Sequence, residues 1–277
     1  MISGKTVLIA HIGYPTEAFK APMIFNPWFD SRGIDAVVVP MGVKSEDYAG
    51  ALQALRRFTN LHGALVTMPH KLTTLALMDE VTPTAQIAGA CNAILLRSDG
   101  SLLGDQFDGA GFVRGVLRKG HTLAGKRVLV CGCGGVGSAI AASLAAAGVA
   151  QLSLYDCRTE SAHSLASRLR EHYPALQVRT GSNDPAGHDV AVNATPLGMK
   201  DGDALPFDMS RVSPATLIGE VVMRQAITPL LAAAQAKGCP IQVGTDMLFE
   251  MIPAYLEFFG FGIATPEELR AVSRIRY

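Results

Sequence analysis

The stretch KRVLVCGCGGVGSAIAASLAAAGVAQLSLYD, which runs from Lys126 to Asp156, decides the fold of this chain. It opens on an apolar run with strand character, 128–131, and continues into an alanine-rich segment typical of a helix. Between the two stand glycines in the G-x-G-x-x-G spacing, Gly132, Gly134 and Gly137. A second apolar run then ends in Asp156. This order predicts a strand, a glycine turn, a helix and a second strand with an acid at its tip.

Each part of this pattern has a physical role in binding a dinucleotide. The first glycine permits a tight turn, the second lets the main chain approach a pyrophosphate, and the third lets the helix pack on the strand. The pyrophosphate sits at the positive end of the helix dipole, and the acid accepts hydrogen bonds from an adenosine ribose. A glycine turn can also serve a simple loop, but here all four parts occur in order. We therefore predict a dinucleotide site whose glycine turn comprises Gly132, Gly134, Gly135, Val136 and Gly137.

Composition narrows the class of protein. Of the 277 residues 49% are hydrophobic and 17% are charged, as in a globular protein with a large core. The 24 basic and 24 acidic residues cancel, so no basic surplus favours nucleic acid or an anionic membrane as a partner. The cysteine count is odd, at 5, and includes no C-x-x-C pair, which indicates free thiols in a reducing compartment. Because the sequence shows neither a signal peptide nor a membrane span, we expect a cytoplasmic protein.

Strand-like and helix-like segments alternate over about the first 100 residues, which predicts a mostly parallel α/β sheet. A helix is predicted over 46–59, and a turn at 98–100 joins two short strands into a hairpin. We predict an α/β protein of two domains. Residues 1–104 with 239–277 form a substrate-binding domain, and residues 105–238 form a Rossmann-type NAD(P)-binding domain.

Three further segments carry candidate chemistry, and each has a plain structural alternative. Lys71 follows the third predicted strand, where a desolvated lysine could act as a base. On this segment alone, however, a lysine exposed at the surface is favoured. His70 is interpreted as a structural histidine. The segment GDQFDG at 104–109 suits a cleft or an ordinary turn, and NATPLGM at 193–199 suits a nicotinamide site or a strand-end loop about equally. The histidines lack the spacing of metal ligands, so no metal is expected.

Taken together, a set of motifs resembles the shikimate/quinate dehydrogenase family along nearly the whole chain, in matching order and spacing. In chain order the motifs are GYP 13–15, VTMPHK 66–71, GACNAI 89–94, GDQFDG 104–109, GCGGVG 132–137, NATPLGM 193–199, TPLL 228–231 and GTDML 244–248. The resemblance implies an NAD(P)-dependent dehydrogenase with a substrate domain and a dinucleotide domain.

The resemblance also implies roles for particular residues. Lys71 and Asp108 occupy the positions of the family's Lys/Asp pair, and Thr67 and Asn92 occupy positions that bind substrate hydroxyls. The chemistry agrees, because removing hydride from a secondary alcohol requires a base for the hydroxyl proton. Lys71 is expected to be that base, with Asp108 orienting it. The nicotinamide accepts the hydride, while the protein supplies positioning.

Several departures from the family pattern concern the substrate. The family grips a substrate carboxylate through two serines, and their positions here hold Phe19 and Ala21. Other polar positions of the family hold Leu65, Ala93 and Met251. A site that loses its donors to a carboxylate should reject that ligand strongly. We therefore expect a divergent member whose best substrate is not shikimate.

The sequence leaves open which residue, if any, replaces the two serines as a contact to a substrate anion. The segment that corresponds to the family's Tyr-Asn-Pro is Met223-Arg224-Gln225, and Lys20 lies between the two lost serines. Either Lys20 or Arg224 could supply the contact, and the residues do not decide between them.

The cofactor signals conflict. NADP-using relatives carry Asn-Arg-Thr after the second strand, where this chain has Asp156-Cys157-Arg158-Thr159. Asp156 should repel a 2′-phosphate and bind a ribose diol, whereas Arg158 keeps part of the NADP pattern. We expect NAD to be preferred over NADP. The remaining residues of the expected cofactor site are Asn193, Thr195, Pro196 and Gly244.

Two functions follow from these observations. The first is a shikimate dehydrogenase-like oxidoreductase that acts on a secondary alcohol of a cyclic polyol or hydroxy acid. The second is a non-catalytic NAD-binding regulatory or sensory protein on the same fold, which the lost carboxylate grip favours. The retained pair Lys71 and Asp108 favours the enzyme. The expected partner is a small molecule, and a monomer and a homodimer are equally compatible with the sequence.

Overall fold

Two six-stranded sheets organise this protein, whose computed structural model describes residues 2–277. The strands are β1 Val7–Gly13, β2 Ala36–Gly42, β3 Leu61–Val66, β4 Glu80–Val81, β5 Ala93–Leu96, β6 Leu102–Asp105, β7 Arg127–Cys131, β8 Gln151–Tyr155, β9 Gln177–Thr180, β10 Val190–Asn193, β11 Leu217–Glu220 and β12 Ile241–Gln242. The helices are α1 Pro22–Arg32, α2 Tyr48–Leu55, α3 Lys71–Leu75, α4 Pro83–Ala88, α5 Asp108–Arg118, α6 Gly135–Ala146, α7 Thr159–His172, α8 Pro229–Ala236, α9 Gly244–Phe258 and α10 Pro266–Val272.

The chain forms two compact units. Unit 1 contains residues 2–107 and 251–276, and unit 2 contains Asp108–Glu250 with Tyr277. One junction falls between β6 and α5, and the other falls inside α9.

The sheet of unit 1 is mixed, with strand order β2-β1-β3-β5-β6-β4. β1 pairs in parallel with β2 and β3, because helices connect these strands, whereas β5 and β6 are antiparallel neighbours joined by the expected hairpin. The predicted mostly parallel α/β sheet is confirmed.

The helix predicted over 46–59 is shorter than expected: a short 3₁₀ turn, Ser45–Asp47, precedes α2, which ends at Leu55. Its apolar face ends there, because Arg56 and Arg57 follow.

The sheet of unit 2 is entirely parallel, with strand order β12-β11-β10-β7-β8-β9. Its central strands β7 and β10 are fully or almost fully apolar and buried, as expected for a parallel sheet covered on both faces. The glycine turn connects β7 to α6, and β8 lies beside β7 with Cys131 opposite Tyr155. The Rossmann-type prediction is confirmed, and this topology places the glycine turn at the carboxyl ends of the strands.

Aromatic side chains form much of the core of unit 1. Tyr255 of α9 packs edge-on against Phe25 at 6.1 Å and against Phe107 at 4.9 Å between ring centroids. Phe259 lies beside Tyr255 and Phe258. This packing, with the bond from the Tyr255 hydroxyl to the Asn92 carbonyl, attaches the carboxyl-terminal half of α9 to the residues just before β5 and just after β6.

Two properties of the whole described chain complete the fold. Over residues 2–277, the helices are too short or too polar for any of them to cross a membrane. The cysteines are all unbridged thiols, four of them buried and Cys157 exposed.

Candidate functional site

The glycine turn of unit 2 is closely packed at two of its three glycines. Gly132 has φ of +97°, and a Cβ there would lie 2.5 Å from the Ala194 carbonyl oxygen. A Cβ on Gly137 would lie 1.8 Å from the Gly132 carbonyl oxygen. These contacts allow no side chain at either position. They join the turn to the start of α6 and to the loop after β10.

Gly134 differs from both, because a Cβ there would meet no heavy atom within 4 Å. It precedes α6 and provides no capping side chain, so the first N–H groups of the helix keep their hydrogen-bonding capacity. Gly135 and Val136 form the first residues of the helix and are half-buried. Open space beside main-chain donors at a helix start fits a pyrophosphate, as the sequence predicts. These residues could therefore hold NAD(P).

Asp156 follows β8 and is connected to the glycine turn. One carboxylate oxygen accepts the N–H of Cys133 at 2.8 Å, and the other accepts the N–H of Arg158 at 2.9 Å. The Asp156 side chain is only 10% exposed, while the Arg158 side chain is 68% exposed. Burial and the nearby carboxylate raise the pKa of the Cys133 thiol to about 12, so it stays protonated. The acid is thus held in place and keeps lone pairs for a ribose diol.

A buried polar network lies under the loop after β10. Asn193 accepts the hydroxyl of Thr195 at 2.6 Å, and its amide donates to Glu220 at 3.0 Å. Glu220 also accepts the Thr228 hydroxyl at 3.0 Å and two main-chain N–H groups at 2.9 Å. Burial raises the pKa of Glu220. Sequence reasoning missed Glu220 and Thr228, and the only signal was an acid at the end of an apolar strand.

The last two expected cofactor residues lie beside this network. Pro196 is exposed in the loop after Thr195. Gly244 begins α9, and a Cβ there would lie 2.9 Å from the Val222 carbonyl oxygen, so it packs on the chain leaving β11. Unit 2 therefore brings Gly132, Asn193 and their neighbouring loops together at the carboxyl ends of its strands.

In unit 1, the predicted substrate residues lie where the central strands of the sheet begin or end. We call this place the strand-end edge and define it by Thr67, Lys71 and Asn92. Leu65 pairs with Ala93, which places the end of β3 beside the start of β5. The N–H of Thr67 donates to the Ile12 carbonyl at 2.9 Å, which attaches this edge to β1.

Asn92 is the most constrained residue of this edge. It is 0% exposed, and its Oδ1 accepts the N–H of Phe107 at 3.0 Å. Its carbonyl accepts the hydroxyl of Tyr255 at 3.0 Å. The Nδ2 donor is buried and has no partner. A buried amide donor without an acceptor costs free energy, so this atom indicates a place for a ligand oxygen.

Lys71 is the first residue of α3 and is 8% exposed, which contradicts the surface alternative. Its carbonyl accepts the N–H of Cys91 at 2.9 Å, so the start of α3 lies against the segment that carries Asn92. His70 is structural, since it stacks on Tyr48 at 4.0 Å and its Nε2 bonds the Val43 carbonyl at 2.8 Å.

Asp108 is the first residue of α5 in unit 2 and is 1% exposed. It follows Phe107 directly in the chain, and the N–H of Phe107 is bonded to Asn92. The candidate acid is therefore buried at the start of α5, directly after Phe107 in the chain.

The positions that lost their serines are filled by apolar groups. Phe19 stacks on His11 with 4.1 Å between ring centroids, and Ala21 is buried. Sequence reasoning missed His11, which is 6% exposed and whose pKa is lowered to about 3 by burial and by the Lys71 charge. Met251 is likewise buried, at 9% exposed.

The two cations suggested for an anion contact have partners of their own. Lys20 donates to the Arg276 carbonyl, and burial lowers its pKa. Arg224 donates to the Met199 carbonyl at 3.0 Å and pairs with Asp201 at 2.9 Å. Across residues 2–277, no group of histidine, cysteine, aspartate and glutamate side chains could hold a metal ion.

Comparison with known proteins agrees with this geometry. A family model of the shikimate dehydrogenase substrate binding domain matches residues 11–94, and a model of the ThiF family matches residues 116–166, which include the glycine turn. The shikimate dehydrogenase (NADP(+)) of Rhodospirillum rubrum is 36% identical over 282 residues, which cover 98% of each chain.

Two solved structures are similar over almost their full lengths. The shikimate 5-dehydrogenase from Listeria monocytogenes, in complex with shikimate and NAD, is 26% identical, has a TM-score of 0.86, and covers 98% of this chain and 97% of its own. The ligand-free 5-ketofructose reductase of Gluconobacter sp. strain CHM43 is 25% identical, has a TM-score of 0.83, and covers 98% of both chains.

A parallel sheet with its glycine turn in unit 2, together with a mixed sheet in unit 1 that carries the substrate-domain motifs, defines an NAD(P)-dependent oxidoreductase. Within that class, identity over nearly the full length shows that this chain belongs to the shikimate dehydrogenase family. The family predicted from the motifs is thereby confirmed.

Proposed function

We propose that this chain transfers hydride between NAD(P) and a secondary alcohol of a cyclic polyol or hydroxy acid, with Lys71 as base and Asp108 assisting it. The unpartnered Nδ2 of Asn92 carries the proposal, because a fully buried donor at the strand-end edge requires an acceptor that the chain does not provide. A substrate oxygen would supply that acceptor, and the Thr67 hydroxyl at the same edge would bind a second one.

The chemistry assigns one task to each group. In the oxidation, the Lys71 amine takes the proton of the substrate hydroxyl while the carbon–hydrogen bond breaks and a carbonyl forms. A nicotinamide held by the glycine turn of unit 2 would supply the hydride acceptor. In the reduction, Lys71 returns the proton to the forming hydroxyl. Asn92 fixes the substrate so that the reacting carbon has one orientation, and orientation supplies a large part of the rate.

The substrate is proposed to differ from shikimate. Apolar Phe19 and Ala21 occupy the positions where the family has hydroxyl donors to a carboxylate. The two alternative cations, Lys20 and Arg224, are bound to carbonyl oxygens, and Arg224 also to Asp201. The 5-ketofructose reductase with the same fold acts on an uncharged sugar, which supports a neutral substrate for this chain too.

The cofactor is proposed to be NAD, with NADP less favoured. Asp156 is held by the N–H of Cys133, at the tip of β8, where a ribose 2′-phosphate would meet its negative charge. The Arg158 side chain is mostly exposed to solvent, so it offsets this repulsion only in part. Relatives named for NADP and solved with NAD both occur, so the preference rests on this residue.

Initial rates test the proposal. We would follow NADH and NADPH at 340 nm with four probes: shikimate, quinate, myo-inositol and 5-ketofructose. Lys71→Met is expected to lower kcat by about 10³-fold, because a general base typically contributes 10²–10⁴-fold. The matched control is Lys5→Met, an exposed lysine at the amino-terminal end of β1.

Dinucleotide binding separates the alternatives. Unchanged NAD affinity in Lys71→Met, together with lost turnover, supports the enzyme. Wild-type protein that binds NAD but turns over none of the four probes overturns the proposal, and the non-catalytic sensor then becomes the better account.

A further inference from the structure

His11 lies near the carboxyl end of β1, and its imidazole ring stacks on a phenylalanine ring. It is flanked by Pro40 of β2 and Leu65 of β3, so it stands on the same edge of the sheet as Thr67. Its ring stacks on Phe19 with 4.1 Å between centroids and 30° between planes. The next residue of β1, Ile12, accepts the N–H of Thr67 at 2.9 Å, and the charge of Lys71 acts on the His11 ring, so this part of β1 adjoins the proposed substrate groups.

The ring of His11 has a buried nitrogen that the chain leaves open. Nδ1 is buried without a hydrogen-bond partner, and the residue is 6% exposed. Two other histidines of unit 1 show the usual arrangement, since Nε2 of His62 and of His70 bonds a main-chain carbonyl at 2.7 and 2.8 Å. A buried imidazole nitrogen without a partner is costly, and at a substrate edge a ligand group accounts for it.

The charge state of the ring decides which ligand group fits. Burial, and after it the Lys71 charge, lower the pKa of His11 to about 3, so the ring is neutral at physiological pH. A neutral imidazole offers one donor and one acceptor, which matches a hydroxyl or a carbonyl. It offers no positive charge to a carboxylate, and the neighbouring Phe19 face would desolvate a carboxylate without compensation.

We propose that His11 is a specificity-determining residue that binds an uncharged hydroxyl or carbonyl of the substrate and, with Phe19, selects neutral polyols and keto sugars over carboxylates. This inference rests on the proposed function and narrows its substrate class. Lys71 acts on the reacting oxygen, and His11 binds a second oxygen of the same molecule.

Two His11 variants and one control test the inference. His11→Phe keeps the ring stack but removes both nitrogens, and His11→Asn keeps a short donor and acceptor. The uncharged probes are 5-ketofructose and myo-inositol, and the anionic probes are shikimate and quinate. In the wild type, kcat/KM should favour an uncharged probe. His11→Phe should lower that value about tenfold, mainly through KM, as expected for one lost hydrogen bond.

The pattern across variants distinguishes specificity from a structural role. His11→Asn should restore kcat/KM for the uncharged probe to within about threefold of the wild type, because it can still form one such bond. The control His62→Phe removes a histidine that is bonded to the Phe259 carbonyl, and it should leave the ratio of uncharged to anionic probe unchanged. An unchanged ratio in His11→Phe, or a wild type that prefers a carboxylate probe, overturns the inference. Preference for a carboxylate also overturns the proposed neutral substrate, whereas the proposed hydride transfer with Lys71 as base stands in either case.

Imidazole spectroscopy keeps the inference testable if turnover is absent. In ¹⁵N-labelled protein with NAD bound, an uncharged probe should shift the His11 ring nitrogens, and quinate should not. No shift with either uncharged probe overturns the role of His11. Failure of all four probes to turn over, with the shift present, overturns the proposed chemistry alone.

Discussion

The dinucleotide site of unit 2 and the strand-end edge of unit 1 differ in how far the chain satisfies its own polar atoms. In unit 2, Asn193, Glu220 and Asp156 are each bonded through two or more contacts to neighbouring groups. In unit 1, the Nδ2 of Asn92 and the Nδ1 of His11 are buried with no partner. The dinucleotide site has its polar side chains bonded within the protein and leaves main-chain donors for a ligand, whereas the strand-end edge leaves buried side-chain atoms for one.

The two sites also differ in how they recognise a ligand. A dinucleotide is recognised mainly through main-chain geometry at a glycine turn, which closely packed glycines enforce. A substrate is recognised through side chains, and Phe19 and Ala21 show that these can change while the sheet below stays the same. The fold thus fixes the cofactor half, whereas the chemistry of individual side chains sets the substrate half.

Two glycine substitutions test the packing of the turn in unit 2, and Gly137→Ala should destabilise the protein most of all the variants considered. Gly137→Ala places a methyl group 1.8 Å from the Gly132 carbonyl oxygen and should destabilise the fold by about 5 kcal/mol, enough to impair expression. Gly134→Ala meets no atom within 4 Å and should leave the free energy of unfolding within about 1 kcal/mol of the wild type. Urea denaturation measures both.

The same two glycine substitutions distinguish the role of the turn in packing from its role in binding NAD. The Gly134→Ala methyl group enters the space assigned to the pyrophosphate, so the Kd for NAD should rise at least about tenfold, a cost of about 1.4 kcal/mol. Calorimetric titration of the folded variant measures it. Normal NAD affinity in Gly134→Ala would contradict the assignment of this turn to the pyrophosphate, whatever the stability of Gly137→Ala.

The sequence predicted the fold well because the decisive signals are local. The glycine turn, its strand and its acid lie within 31 consecutive residues, 126–156, and their order specifies a parallel unit without knowledge of distant contacts. The signal for the hairpin, a turn at 98–100 between two short strands, is equally local. The helix at 46–59 was overextended, because helix propensity alone does not show where the buried face ends at Leu55.

The substrate edge was less predictable, because its residues meet only through the sheet register. Thr67 and Asn92 were identified through the family resemblance. His11 gave no signal, since a single histidine in an apolar strand is more often structural, and its contact with Phe19 depends on a loop. The same holds for Glu220, whose partners Asn193 and Thr228 come from other segments.

The dependence of stability on pH tests whether the buried His11 ring in unit 1 is neutral. Because the folded-state pKa of His11 is about 3 and its ordinary value is 6.5, the unfolded chain binds the extra proton between these values. The stabilising contribution is therefore complete above pH 6.5 and is lost as pH falls toward 3. For His11→Phe, we expect the loss of unfolding free energy between pH 6.5 and 5 to be smaller by about 2 kcal/mol.

Urea denaturation of both proteins across this pH range measures the difference, and pH 8 gives the baseline for the substitution itself. Parallel curves for wild type and His11→Phe would mean that His11 takes up its proton in the folded state at an ordinary pH. The neutral ring on which the substrate inference depends would then be refuted.

Asp156→Asn should change the protein least, and it tests whether the acid at the tip of β8 selects the cofactor. Asparagine keeps an oxygen that can accept the N–H of Cys133, so the turn should remain intact. It removes the charge that faces a 2′-phosphate, so the ratio of kcat/KM for NAD to that for NADP should fall about tenfold. The control Arg158→Ala should move the ratio in the opposite direction, because it removes an exposed cation that lies 3.9 Å from that carboxylate. Equal use of NAD and NADP by the wild type, unchanged by Asp156→Asn, would show that the carboxylate serves the turn alone. Selection between the cofactors would then depend on residues beyond the tip of β8.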